Sequence, residues 1–167
     1  AGKFETDHLT PTVPVGGDYV LELFRGPTSA FKDVALSMLP RLMTASKEKL
    51  GVDDEIMILT ATSGDTGKAA LEGFKDRDHI SIVVFYPDGG VSDIQYKQMA
   101  TQTGDNVTVY GVRGNFDDCQ TSVKQMFNDK EFNEVLAASD NVVLSSANSI
   151  NWGRLMPQIV YYVSAYA

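Results

Sequence analysis

Five of the seven residues from His79 to Phe85 are large and apolar: Ile80, Ile82, Val83, Val84 and Phe85. A strand apolar on both sides must be covered on both sides, as in a sheet with helices on each face. The rest of the sequence repeats the theme. Strand patterns at Tyr19–Phe24, Glu55–Thr60, Asn106–Gly111 and Asn141–Leu144 alternate with helical patterns at Ser29–Leu50, Lys68–Phe74, Ser92–Gln102, Phe116–Phe127 and Lys130–Ala138. The connections are short. This predicts an α/β fold, three layers in α/β/α order around a mainly parallel sheet built from βαβ units. Residues 1–18, with Pro11, Pro14, Gly16 and Gly17, are expected to be irregular. Pro40 is expected to kink its helix, and a final apolar helix is expected from Trp152 onward.

Composition removes whole classes of function. With 22 acidic and 14 basic residues among 167, the formal charge is −8, which argues against general binding to nucleic acid or an anionic membrane. A single cysteine, Cys119, cannot form an internal disulfide or a CxxC metal site, and His8 and His79 have no metal-binding spacing. No apolar run reaches the roughly 18 residues of a membrane span. A reducing, cytoplasmic setting is expected. Without an initiator Met, and ending inside the uncapped apolar run Gln158–Ala167, the sequence is expected to be a segment of a longer protein.

Lys32 has the most suggestive placement. In a helix begun near Ser29 it shares a stripe with Leu36, Leu39 and Met43, beside a row of Phe31, Ala35, Met38 and Leu42. Burial and the positive helix end both disfavour an ammonium there. A neutral amine is what Schiff-base chemistry needs. The plainer alternative is a lysine whose stem covers the first turn while its amine reaches water.

Three strand-to-helix loops follow. Thr60-Ala61-Thr62-Ser63-Gly64-Asp65-Thr66-Gly67 offers hydroxyls, helix-start amides and two glycines, a cradle for an anionic oxygen. It is not a nucleotide P-loop, because Lys68 is followed by Ala69 and Thr62 occupies the place of the leading glycine. The alternative is an ordinary helix start. Asn148-Ser149-Ile150-Asn151-Trp152-Gly153-Arg154 combines amides, a hydroxyl and a guanidinium fork suited to phosphate, or else caps a helix. Gly111–Gln120 reads as a structural turn, with Cys119 as a packing residue.

Taken together, LELFRGPTSAFKD (21–33), TATSGDTG (60–67) and NSINWGR (148–154) resemble the threonine synthases, pyridoxal-phosphate enzymes of fold type II in the tryptophan synthase β superfamily. The resemblance covers nearly the whole chain from about Leu9. It implies that Lys32 carries the cofactor, pyridoxal 5′-phosphate, and shuttles protons, with O-phospho-L-homoserine as substrate and threonine and phosphate as products. It further implies cofactor contacts from Phe31, Ser63, Gly64, Asp65 and Thr66. Substrate contacts would come from Thr62, Ser63, Thr66, Asn148, Ser149, Asn151 and Arg154.

The same resemblance places residues 1–54 in a large lobe, 55–150 in a small α/β lobe, and 151–167 in a helix returning to the large one. The family's glycine-rich loop for the cofactor phosphate has no counterpart in the sequence, nor has its N-terminal lobe. Weak cofactor binding and little turnover are therefore expected of this segment alone. Rival readings are a serine/threonine dehydratase or cysteine synthase, whose substrates lack a γ-phosphate, a non-catalytic binder of phosphorylated amino acids, and a plain metabolite-binding module. Oligomeric state is not legible.

Overall fold

A computed structural model describes residues 2–167. A short antiparallel hairpin comes first, β1 (Thr12–Val15) with β2 (Asp18–Leu21), Thr12 opposite Leu21. Helix α1 (Asp33–Leu50) leads into β3 (Glu55–Ala61), α2 (Asp65–Phe74), β4 (Ile80–Pro87), α3 (Asp93–Ala100) and β5 (Val107–Val112). Two helices, α4 (Phe116–Asn128) and α5 (Lys130–Asp140), then cross back to β6 (Val142–Ser146). The chain closes with α6 (Trp152–Leu155), a 3-10 turn at Met156–Gln158, and α7 (Ile159–Tyr166).

Strands β3 to β6 form one parallel sheet in the order β5-β4-β3-β6. Alternation along β3 divides the core. Ile56 and Ile58 meet Leu36 and Leu39 of α1 and Leu71 and Phe74 of α2, whereas Leu59 and Ala61 meet Cys119 and Val123 of α4. The expected three layers are present, and β4 is apolar on both sides because both sides are covered. The chain runs outward from β3 through β4 to β5 and then returns beyond β3, so the order reverses between β3 and β6. Crevices for ligands open at the carboxyl ends of strands flanking such a reversal.

Several expectations need correction. Residues 1–18 are not wholly irregular, since β1 lies within them. The strand expected at Tyr19–Phe24 stops at Leu21 and pairs in the hairpin, outside the parallel sheet. Helix α1 begins at Asp33 rather than near Ser29. The cause is the buried Asp33 carboxylate, which accepts from Thr28 N (3.0 Å), Thr28 Oγ1 (2.5 Å) and Ala30 N (3.3 Å) and so holds residues 28–30 as a turn. Ser29 has φ 54° there, which no α-helix accommodates. Leu36 and Leu39 are buried as expected, but Phe31 and Met38 are exposed. Helix α1 continues through Pro40, whose ring lies in the core. The final helix is interrupted at Pro157 by the 3-10 turn.

Candidate active site

The site is assembled at the reversal point between β3 and β6. Behind β3, Thr62 turns its buried hydroxyl inward to accept from Gly64 N (2.9 Å) and Gly67 N (2.8 Å). That bends the loop into α2 and leaves the amides of Asp65 and Thr66 as the ones a helix start cannot satisfy internally. Gly64 has φ 131°, a backbone state that a side chain would strain. Ser63 is exposed and Thr66 half-buried at the mouth of the loop.

Behind β6, Asn148 plays the part of an extra strand residue. Its Oδ1 accepts from Ala61 N (3.1 Å) and its Nδ2 donates to Ala61 O (2.8 Å). Asn151 donates from Nδ2 to Ser146 O (2.9 Å) and caps α6 through Gly153 N (2.9 Å). These two asparagines and Thr62, all expected to touch substrate, are therefore engaged first with backbone. Ser149 is exposed and uncommitted.

Lys32 occupies the cap position of α1, with its side chain only 12% exposed. Its Nζ stands 3.8 Å from Asp65 Oδ2 and 4.1 Å from the centre of the Phe31 ring, which lids it. Burial lowers the affinity of this amine for its proton; Asp65 opposes that effect, while Arg154 and Lys68 reinforce it. The desolvated amine expected from sequence is present. Asp65 is pulled two ways. Burial raises its pKa, but the bond from Gln95 and the nearby Lys32 and Lys68 ammonium groups outweigh this and hold the carboxyl below its ordinary range.

Arg154, on α6, is 7% exposed, and its Nε has no hydrogen-bond partner. Burial pushes the guanidinium pKa down, against a smaller upward pull from Tyr161. A buried cation with an unpaired donor leaves a strong site for an anion. Lys32 and Lys68 flank the Asp65 carboxylate, and the charges bearing on Lys32 are Asp65, Asp33, Lys68 and Arg154, a cationic concentration in a chain whose overall charge is −8.

Sequence reasoning missed four participants. Lys68 is buried and pairs with Asp65 at 3.6 Å; the i,i+3 spacing from Asp65 was the available signal. Gln95 of α3 donates to Asp65 at 2.8 Å. Thr28 anchors Asp33. Tyr161 of α7 donates its hydroxyl to the carbonyl of Phe31, next to Lys32. No local pattern announces the last three contacts.

A parallel sheet with this reversal, and a half-buried lysine opposite a glycine-bearing strand–helix loop, match the domain architecture of a fold-type-II pyridoxal-phosphate enzyme. The structure of pyridoxal-phosphate-bound threonine synthase from Brucella melitensis matches 99% of the chain with a TM-score of 0.85 and 47% identity, over 34% of its own length. The yeast threonine synthase structure matches 98% with a TM-score of 0.84 and 39% identity, over 33% of its length. Threonine synthase of Pseudomonas aeruginosa is 45% identical across 98% of the chain and 34% of its own length. Human threonine synthase-like 1 is 46% identical across 90% of the chain and 21% of its own length. No protein-family model matches. Within the class, the chain is homologous to the threonine synthases along almost its entire length, and it spans about one third or less of the relatives it matches.

Proposed function

We propose that the protein containing this chain is a threonine synthase, converting O-phospho-L-homoserine and water to L-threonine and phosphate with pyridoxal 5′-phosphate. The observation that carries the reading is the desolvated Lys32 amine beside the buried Arg154 guanidinium, whose Nε has no partner. The chain's own residues fit the cofactor: a primary amine held out of water, an aromatic ring against it, and a loop whose Gly64 leaves the approach clear. When bound, that cofactor supplies an electron sink for the pair left when a proton departs from the substrate carbon.

Lys32 Nζ then takes protons from carbon and returns them, a task suited to an amine whose pKa burial has lowered. Ser63, Thr66 and the free amides at the start of α2 receive the substrate carboxylate. Arg154, with Ser149 and the remaining polar capacity of Asn148 and Asn151, holds the phosphate until its bond to carbon breaks, favouring charge that grows in the transition state. Thr62 supports this by fixing the loop. Phe31 excludes water from the amine. Asp65 steadies the Lys32 charge when that amine carries a proton.

On this reading residues 1–54 and 151–167 belong to one lobe and 55–150 to another, which the packing of α1 against α6 supports. A cytoplasmic setting accords with a buried free thiol at Cys119. Among the described residues, no helix is long and apolar enough to cross a membrane.

The test is spectroscopic first. Pyridoxal phosphate added to the full-length protein should give the visible absorbance of a lysine-bound cofactor, lost in Lys32→Ala. Phosphate release from O-phosphohomoserine should then exceed release by Arg154→Met by at least tenfold. A spectrum unaffected by Lys32→Ala, or phosphohomoserine that produces neither a spectral change nor phosphate, would sink the assignment.

A further inference from the structure

Helix α3 starts with a reciprocal cap. Ser92 Oγ accepts from Gln95 N (3.3 Å), and Gln95 Oε1 accepts from Ser92 N (3.2 Å). Such caps stabilise a helix end and need nothing more from the glutamine. Here its remaining group is also committed, because Nε2 donates to Asp65 Oδ1 at 2.8 Å across thirty residues of sequence. The same amide covers Gly64, where an added Cβ would come 2.8 Å from Nε2.

The two oxygens of Asp65 consequently do different things. Oδ1 is shared by Gln95 and, at 3.6 Å, by Lys68, whereas Oδ2 faces Lys32 at 3.8 Å. We propose that Gln95 is a positioning residue: by holding Oδ1 it turns Oδ2 toward Lys32 Nζ and sets how strongly that carboxylate acts on the amine. The consequence for turnover rests on the proposed role of Lys32. The charged groups bearing on Lys32 are Asp65 and Lys68 from α2, Arg154 from α6 and Asp33 from α1. Tyr161 of α7 bonds to the carbonyl of neighbouring Phe31. Asp33 already accepts three hydrogen bonds from Thr28 and Ala30, so Asp65 is the carboxylate whose aim can be altered from α3.

The experiment uses full-length protein stripped of cofactor. Lys32 is acetylated with acetic anhydride across a pH series, and its labelling midpoint is read by mass spectrometry against the exposed Lys49. Gln95→Met frees the carboxylate and should shift the Lys32 midpoint to lower pH by about 1 unit, the low end for a partly solvated pair. Asp65→Asn should shift it the same way, and the double variant should match Asp65→Asn alone. Ser92→Ala weakens the cap and should leave the midpoint in place.

An unshifted midpoint in Gln95→Met overturns the proposal. So does a double variant whose shift exceeds that of Asp65→Asn, or a Ser92→Ala shift as large as that of Gln95→Met. Because no cofactor or substrate is present, these results stand or fall separately from the assignment of the reaction.

Discussion

Replacing Gly73 by alanine tests how α1 is held over the sheet. Glycine inside a helix is ordinarily a weakness, and Gly→Ala at an open site should stabilise by ~1 kcal/mol. Gly73 is not at an open site. A Cβ there would overlap the carbonyl oxygen of Leu36 and lie 2.9 Å from its carbonyl carbon. Carbon atoms rest at about 3.5–4.0 Å, and the overlapped oxygen is the tighter obstacle, so α1 and α2 would have to part by roughly 1 Å. The obstacle is backbone, which cannot rotate away. Moreover, the Leu36 carbonyl lacks its usual helical donor, because residue 40 is proline; the close approach of Gly73 gives it a weak C–H donor instead. Overpacking of this kind costs ~3 kcal/mol at its upper end, and subtracting the propensity gain leaves a net loss of about 2 kcal/mol. With a urea slope of ~2 kcal/mol/M, the unfolding midpoint of Gly73→Ala should fall by about 1 M. Leu36 lies one turn beyond Lys32, so the same displacement should reduce the visible absorbance of bound cofactor. A midpoint equal to or above that of the wild type would refute the claim that the two helices touch backbone to backbone at this point.

Three further outcomes follow from the geometry around Lys32. Asp33→Asn sets an amide donor against the donors of Thr28 and Ala30 and should lower stability by about 1–3 kcal/mol in denaturant titration. Asn148→Ala strips both partners from the Ala61 backbone and should cost a similar ~1–3 kcal/mol, with faster hydrogen exchange at Ala61. Burial, first, and Asp33, second, push the Tyr161 hydroxyl up to about 12 from 10.0. The folded state therefore retains that proton where the unfolded chain releases it. The stability contributed by Tyr161 is complete below pH 10 and declines as pH rises toward 12, by about 2–3 kcal/mol relative to Tyr161→Phe. Unfolding free energies of the two proteins that run parallel through this range would contradict a buried, hydrogen-bonded hydroxyl.

Patterns of period two and period 3.6 carried the sheet, because β3 to β6 and the helices between them have faces that burial alone dictates. Residues 12–31 were less legible. The hairpin has few buried positions to mark it, and the start of α1 is decided by the side chain of Asp33 reaching back to Thr28, a contact that hydrophobic periodicity does not register. The candidate site was legible as loops but not as roles. Thr62, Asn148 and Asn151 have the chemistry to bind a ligand and also the chemistry to complete a backbone, and only their partners show that the backbone is served first. Lys68 and Gln95 lie outside the motifs, and each has an adequate local explanation, an i,i+3 ion pair and a helix cap. Their convergence on Asp65 is a fact of three dimensions.

Under the proposed function, the burden of anion recognition is concentrated on few residues. Because Thr62 and the two asparagines close the ends of β3, α2 and β6, the crevice between them keeps its shape without a ligand, and little ordering entropy remains to be lost on binding. What remains unsatisfied is mostly charge. Arg154 is buried with its Nε unpaired, and Lys32 is held where burial works against its proton. Both situations are costly in an empty crevice and are relieved by an arriving anion. Lys68 does not compete for that role as freely, since it is paired with Asp65. Strength of phosphate binding should therefore follow Arg154 far more closely than Lys68. In the full-length protein without cofactor, Arg154→Met should weaken protection by inorganic phosphate against thermal unfolding by at least tenfold in the concentration required, and Lys68→Met should change it by less than threefold, since removing a guanidinium–anion contact costs ~1.5–3 kcal/mol. Equal losses in the two variants would mean that the phosphate is held by the general positive field of the cluster rather than by the guanidinium fork.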